Sequence, residues 1–218
     1  MGKKNTEPQT FSVIFPLDVS KGRIIINTNN SSKPSKKELI ELASKFHSQN
    51  NITEAEAYYQ FFINEGYTDY KVFSNYGALL KDLGNLRKAE IYTRKSIELN
   101  CDFPDSYYNL GIILLDLGKS EEAELSFNRA IKLNPSLIDA HYNLGVIFAK
   151  FGKLKQAKYS FKKSIELNPA YMNAHNNLGI VLINLGKLEE AEFAIRKSIE
   201  LNPDSALAHN NLGILLNT

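Results

Sequence analysis

The sequence predicts an all-α solenoid of antiparallel helix pairs. Three observations carry that expectation. Asn75, Asn109, Asn143, Asn177 and Asn211 recur 34 residues apart, each followed by an apolar or aromatic residue and then glycine. A second glycine recurs in the same register, at Gly84, Gly118, Gly152 and Gly186. Between these marks the apolar residues follow helical spacing, as in Leu178, Val181, Leu182 and Leu185. A fixed period of this length means stacked copies of one supersecondary unit.

The elements follow in chain order. Residues 1–35 lie outside the period and form a non-repeat extension. Within it Phe11–Phe15 and Arg23–Ile26 have strand-like character, and the flanking polar stretches read as loop or linker. Disorder and a β-hairpin offered to a partner are both open for this segment. Residues 36–69 read as a degenerate capping copy, with Ala43, Asn50 and Ala55 in the slots that later copies fill with glycine, glycine and alanine. Terminal repeats depart from the pattern because one side faces water. Four full units follow, at 70–103, 104–137, 138–171 and 172–205, with no insertion or deletion. Residues 206–218 supply the first helix of a truncated or capping repeat.

With the glycine of each Asn-x-Gly triplet set at position 8, each recurrent residue has a mechanical reason. The glycine at position 15 suits the left-handed residue that ends a helix. A second amphipathic stretch follows, with Ala123, Phe127, Ala130 and Ile131 on one face. Pro135, Pro169 and Pro203 at position 32 stop it, because the residue before proline is driven out of the α region. Small residues at position 8 and at position 20 (Ala89, Ala123, Ala157, Ala191) let the two helices approach closely.

Composition narrows the function. Hydrophobic residues make up 43% of the 218, charged residues 23%, and the formal charge is +2. This near-neutral balance argues against a general nucleic-acid binder. No apolar run approaches the roughly 20 residues of a membrane helix, and the start lacks a signal-peptide core, which makes the cytoplasm the default. The Met1–Thr6 myristoylation pattern and the sequons at Asn30 and Asn51 are short enough to arise by chance. Cys101 stands where later copies have proline and reads as a turn substitution.

These residues resemble the tetratricopeptide repeat family: leucine and glycine at positions 7 and 8, alanine at 20, an aromatic or aliphatic residue at 24 (Phe127, Phe161, Ile195) and proline at 32. The family's tryptophan at position 4 is replaced by Phe73, Tyr107, His141, His175 and His209. The resemblance implies a right-handed solenoid whose first helices line a concave groove with positions 2, 5, 6, 9, 12 and 13. The groove would then hold the asparagine column, with Tyr108 and Tyr142 beside it at position 5. Ile112, Val146 and Ile180 would form an aliphatic strip at position 9, with Asp116 and Lys150 at position 13.

Such a surface suits an extended peptide. Neighbouring repeats lie roughly 8–10 Å apart, close to three residues of extended chain at about 3.3–3.6 Å each. A carboxamide both donates to and accepts from a peptide backbone. The competing reading is that the asparagines only cap or bridge adjacent helices. Basic residues are missing from positions 5 and 6, which disfavours the family's chaperone-carboxylate mode of binding. No phosphate loop, nucleophile motif or metal cluster stands out, so no catalytic residue, metal or cofactor is expected. His141, His175 and His209 are too widely spaced for one zinc and are assigned to packing.

The leading expectation is a non-catalytic scaffold that binds a protein or peptide segment in the groove. The alternative is the substrate-recognition arm of a larger sulfotransferase or glycosyltransferase, the ladder being similar to those in the repeat arms of glycosyltransferases that modify many proteins. It is motivated by the apolar Leu212, Leu215 and Leu216 of the last helix. Self-association through that open C-terminal repeat is a further expectation.

Overall fold

The computed structural model describes residues 17–18, 25–26 and 34–217. The chain divides into two compact units, Met1–Thr68 and Asp69–Thr218.

In the first unit two short strands, β1 (Leu17–Asp18) and β2 (Ile25–Ile26), pair antiparallel, with Leu17 opposite Ile26 and Asp18 opposite Ile25. β2 falls inside the strand-like stretch expected at 23–26, whereas 11–15 lies outside the described residues. A helical hairpin follows, α1 (Lys36–Ser48) and α2 (Ile52–Asn64). Ser35 starts α1 through a capping box: its hydroxyl accepts from the Glu38 amide, and its own amide donates to the Glu38 carboxylate at 2.7 Å. Asn50 turns the chain between the helices with φ of 56°, in the left-handed region that asparagine tolerates better than most residues. Leu39, Ala43, Tyr59 and Phe62 are buried between the two helices.

Among the described residues the second unit holds nine helices: α3 (Tyr70–Asp82), α4 (Leu86–Leu99), α5 (Pro104–Asp116), α6 (Ser120–Leu133), α7 (Ile138–Lys150), α8 (Leu154–Leu167), α9 (Met172–Asn184), α10 (Leu188–Leu201) and α11 (Ala206–Leu216). Each odd-numbered helix from α3 to α9 packs on the even-numbered helix after it, and each even one on the odd helix that follows. Odd helices also touch each other, as in α3 with α5, α7 with α9 and α9 with α11. They therefore form one wall of the stack.

The helix ends follow the sequence signals. Gly84, Gly118, Gly152 and Gly186 have φ between 69° and 77°. Each donates its amide to a carbonyl three residues back, as Gly152 does to Ala149 at 3.1 Å. The asparagine before each position-32 proline is extended, as Asn134 is at φ −137°. Within each pair the position-8 glycine faces position 24. A Cβ on Gly145 would sit 2.6 Å from the Phe161 ring, and one on Gly111 2.6 Å from Phe127. Phe127 and Phe161 thus lie flat against bare backbone, and the same core runs from pair to pair through Leu114, Leu144, Ile147 and Leu182.

Candidate functional site

The asparagine column lies on the wall formed by the odd helices, and its amides tie neighbouring repeats together. Asn109 Nδ2 donates to Ser74 Oγ at 3.0 Å, Asn177 Nδ2 to the Tyr142 hydroxyl at 3.1 Å, and Asn211 Nδ2 to Asn176 Oδ1 at 2.8 Å. In each case position 6 of one repeat bonds position 5 of the repeat before it. Asn143 departs from this rule: its Nδ2 donates to the Asp139 carbonyl of its own helix at 2.8 Å, with the amide beside Tyr108. The Asn75 side chain has no hydrogen-bond partner among the described residues.

A primary amide has two N–H donors and one carbonyl oxygen. The inter-repeat bond uses one donor and fixes the plane of the amide. Such anchoring and facing a ligand are therefore compatible at Asn109, Asn143 and Asn177, which are half-buried. Asn211, 7% exposed, is largely enclosed.

Tyr108 and Tyr142 rest on the position-24 phenylalanines of their own hairpins, with ring centroids 5.9 Å from Phe127 and 5.8 Å from Phe161. Burial pushes both phenols above their ordinary pKa, and Asn143 beside Tyr108 and the hydrogen bond from Asn177 to Tyr142 only partly offset that effect. Ile112, Val146 and Ile180 are half-buried, and the first two pack on the core at one edge. Asp116 and Lys150 are exposed at the far end of their helices and share no ion pair among the described residues.

Two residues join this cluster that the repeat pattern did not single out. Tyr171, the residue before α9, donates its hydroxyl to Asp139 Oδ1 at 2.8 Å, and its ring lies 5.0 Å from that of Tyr142. Burial first, and then the bond to Asp139, hold the Tyr171 phenol well above the ordinary tyrosine range. Asp139 occupies position 2, next to the tyrosines. The available signal was an aspartate at position 2 in two successive copies, Asp105 and Asp139. Tyr171 sits in the inter-repeat turn, where periodicity gives no guide.

The position-4 histidines serve the turns. Nε2 of His141, His175 and His209 lies 3.0, 2.9 and 2.8 Å from the carbonyl oxygens of Pro135, Pro169 and Pro203. No group of three or more metal-ligating side chains exists among the described residues. The exposed face of the even helices carries its own column at position 22: Ile91, Leu125, Tyr159 and Phe193, all more than 60% exposed. Phe193 edges a cavity of about 520 Å³ whose other apolar lining includes Ile165, Leu178 and Leu182.

The family model for the tetratricopeptide repeat matches residues 104–137, 138–171 and 173–205, and a second model of the same repeat matches 70–102. The chain belongs to the tetratricopeptide repeat family. As a member it is a protein-interaction scaffold. A comparison with curated proteins finds no match. Among solved structures it is similar to YrrB, described as a TPR protein with an unusual peptide-binding site, at 23% identity and a TM-score of 0.69, covering 81% of this chain and 91% of that one. It is similar to MamA at 22% identity and a TM-score of 0.68, covering 78% and 93%. A tetratricopeptide repeat protein from Parabacteroides merdae aligns at 20% identity and a TM-score of 0.70, covering 84% and 72%. At these identities the likeness speaks for the fold, an all-α right-handed solenoid of helix pairs. No described helix is long and apolar enough to cross a membrane.

Proposed function

We propose that the chain is a non-catalytic scaffold that binds an extended protein segment along the odd-helix wall. The observation that supports this most directly is the set of pre-aligned carboxamides beside half-buried aliphatic side chains. Asn109 and Asn177 are each held by a neighbouring repeat and Asn143 by the Asp139 carbonyl of its own helix, and Ile112, Val146 and Ile180 run alongside. A ladder oriented before binding loses less side-chain entropy when a peptide arrives. Each peptide bond it makes contributes about 0.5–1.5 kcal/mol, so the affinity is moderate and tolerant of sequence. YrrB, with its peptide-binding site, is a structural neighbour in line with this reading.

The test replaces Asn109, Asn143 and Asn177 together with alanine. Partners recovered with the wild-type chain should bind the variant at least tenfold more weakly while helicity is kept. Unchanged affinity in a folded variant sinks the groove reading.

A second reading is that the repeats serve as the substrate-recognition arm of a larger sulfotransferase or glycosyltransferase. Leu207 and Leu216 on α11, 60% and 64% exposed, favour it, because they present apolar surface to a further element. The coding sequence downstream of Thr218 decides it. The same apolar surface suits self-association, which light scattering across a concentration series tests.

A further inference from the structure

The wall formed by α5, α7 and α9 has an unbalanced charge. These three helices carry Asp105, Asp116 and Asp139 against a single lysine, Lys150. None of the three aspartates forms a salt bridge among the described residues. Lys150 lies eleven residues beyond Asp139 on the same helix, about 16 Å away along its axis.

Asp139 sits where this charge meets the aromatic side chains. Its Oδ1 accepts from the Tyr171 hydroxyl at 2.8 Å, and no second hydrogen bond reaches the carboxylate among the described residues. The Tyr171 ring lies against Tyr142, Tyr108 lies near enough to feel the Asp139 charge, and the Asn143 amide binds the Asp139 backbone. Asp139 itself is exposed. An accessible carboxylate with one oxygen anchored, set among tyrosine rings and in no salt bridge among the described residues, is complementary to an ammonium or guanidinium group. The carboxylate supplies a charge-assisted acceptor, and the ring faces attract the cation.

We infer that the groove selects an extended segment carrying a lysine or arginine side chain, seated at Asp139 between Tyr142, Tyr171 and Tyr108. The inference rests on the groove reading above and adds the chemistry of the ligand to it. Asp105 occupies the same position one repeat earlier, also exposed. Repeats stacked roughly 8–10 Å apart place the two carboxylates about three extended residues from each other, so a pair of cations three residues apart matches both.

The experiment uses the full 218-residue chain and two fluorescein-labelled twelve-residue peptides in fluorescence anisotropy. Both share one neutral background; one carries two arginines three residues apart, and the other carries glutamines there. The arginine peptide should bind about five- to thirtyfold more tightly, with a preference that shrinks as salt is raised. Asp139→Asn, which keeps an acceptor for Tyr171, should remove most of that preference without loss of helicity. The triple asparagine variant should weaken both peptides alike. Equal binding of the two peptides to the wild-type chain overturns the inference and leaves the groove reading standing. So does an arginine preference that survives in Asp139→Asn. If the arginine peptide does not bind at all, the inference also falls, and the groove reading is then decided by the recovered partners.

Discussion

His175 binds the carbonyl oxygen of Pro169, six residues back, with its Nε2 at 2.9 Å. A carbonyl only accepts, so Nε2 carries the proton. The bond ties the first turn of α9 to the proline that ends the preceding repeat, and His141 and His209 repeat it. Histidine therefore does at position 4 what a purely apolar residue cannot. His175 is 7% exposed, so His175→Leu should cost about 1 kcal/mol, the net worth of one hydrogen bond. His209 is exposed and its leucine variant should cost less. Urea midpoints of the two variants check this, and equal midpoints would contradict it.

The contact between Gly145 and Phe161 sets the spacing of a helix pair. An added Cβ at Gly145 meets the ring at 2.6 Å, and the ring is boxed in by the core. Gly145→Ala should destabilise by about 1–3 kcal/mol, the cost of overpacking. Gly213 occupies the same repeat position in α11 with nothing within 4 Å of an added Cβ. Gly213→Ala should instead be neutral or stabilise by about 0.5–1 kcal/mol, because alanine favours a helix interior. Pairing Gly145→Ala with Phe161→Leu should recover part of the loss. A double-mutant cycle by thermal melting measures that coupling.

These two contacts show what was legible in the sequence and what was not. The phase of the repeat placed the close-approach glycines, the left-handed glycines at position 15 and Asn50 in the corresponding slot of the first copy, because each answers to backbone sterics within one unit. In the sequence reading small residues at positions 8 and 20 let the helices close up, and the atoms nearest an added Cβ at Gly145 belong to Phe161 at position 24. The asparagine bonds and the Tyr171–Asp139 pair were not legible. They join residues 35 and 32 positions apart across the seam between repeats, where the distance depends on how one pair stacks on the next. Of the stretch at 11–15 the structure describes nothing, so its strand-like character remains a reading of composition.

Thr93 fills position 24 of the first full repeat, where the others have Phe127, Phe161 and Ile195. It is fully buried against Gly77, and its hydroxyl has no hydrogen-bond partner. An unpaired buried hydroxyl forfeits its hydration without recompense. Valine has the same shape without the polar atom, so Thr93→Val should raise stability by about 1 kcal/mol. Serine at the same position keeps the orphan hydroxyl and loses a methyl, and should lower it. A denaturant midpoint for Thr93→Val below that of the wild type would show that the hydroxyl is satisfied in solution.

The tyrosine cluster should make the fold sensitive to alkali. Tyr171 is raised above the ordinary value of 10.0 mainly by burial, then by the hydrogen bond to Asp139, with the charge of Asp139 adding to it. Tyr108 and Tyr142 are raised chiefly by burial. A phenol with a higher pKa in the folded chain holds its proton more tightly there than in the unfolded chain. Below that ordinary value both states are protonated and stability does not depend on these groups. Above it the unfolded chain releases protons that the folded chain keeps, so stability falls as the pH rises. Urea midpoints measured from about pH 8 to about pH 11 should therefore stay level and then drop. Tyr171→Phe should shed its share of the drop, because phenylalanine has no proton to lose, and Asp139→Asn should reduce it by removing the adjacent negative charge. If all three proteins lose stability along the same curve, the alkaline response comes from elsewhere, and Asp139 does not hold the Tyr171 proton in place.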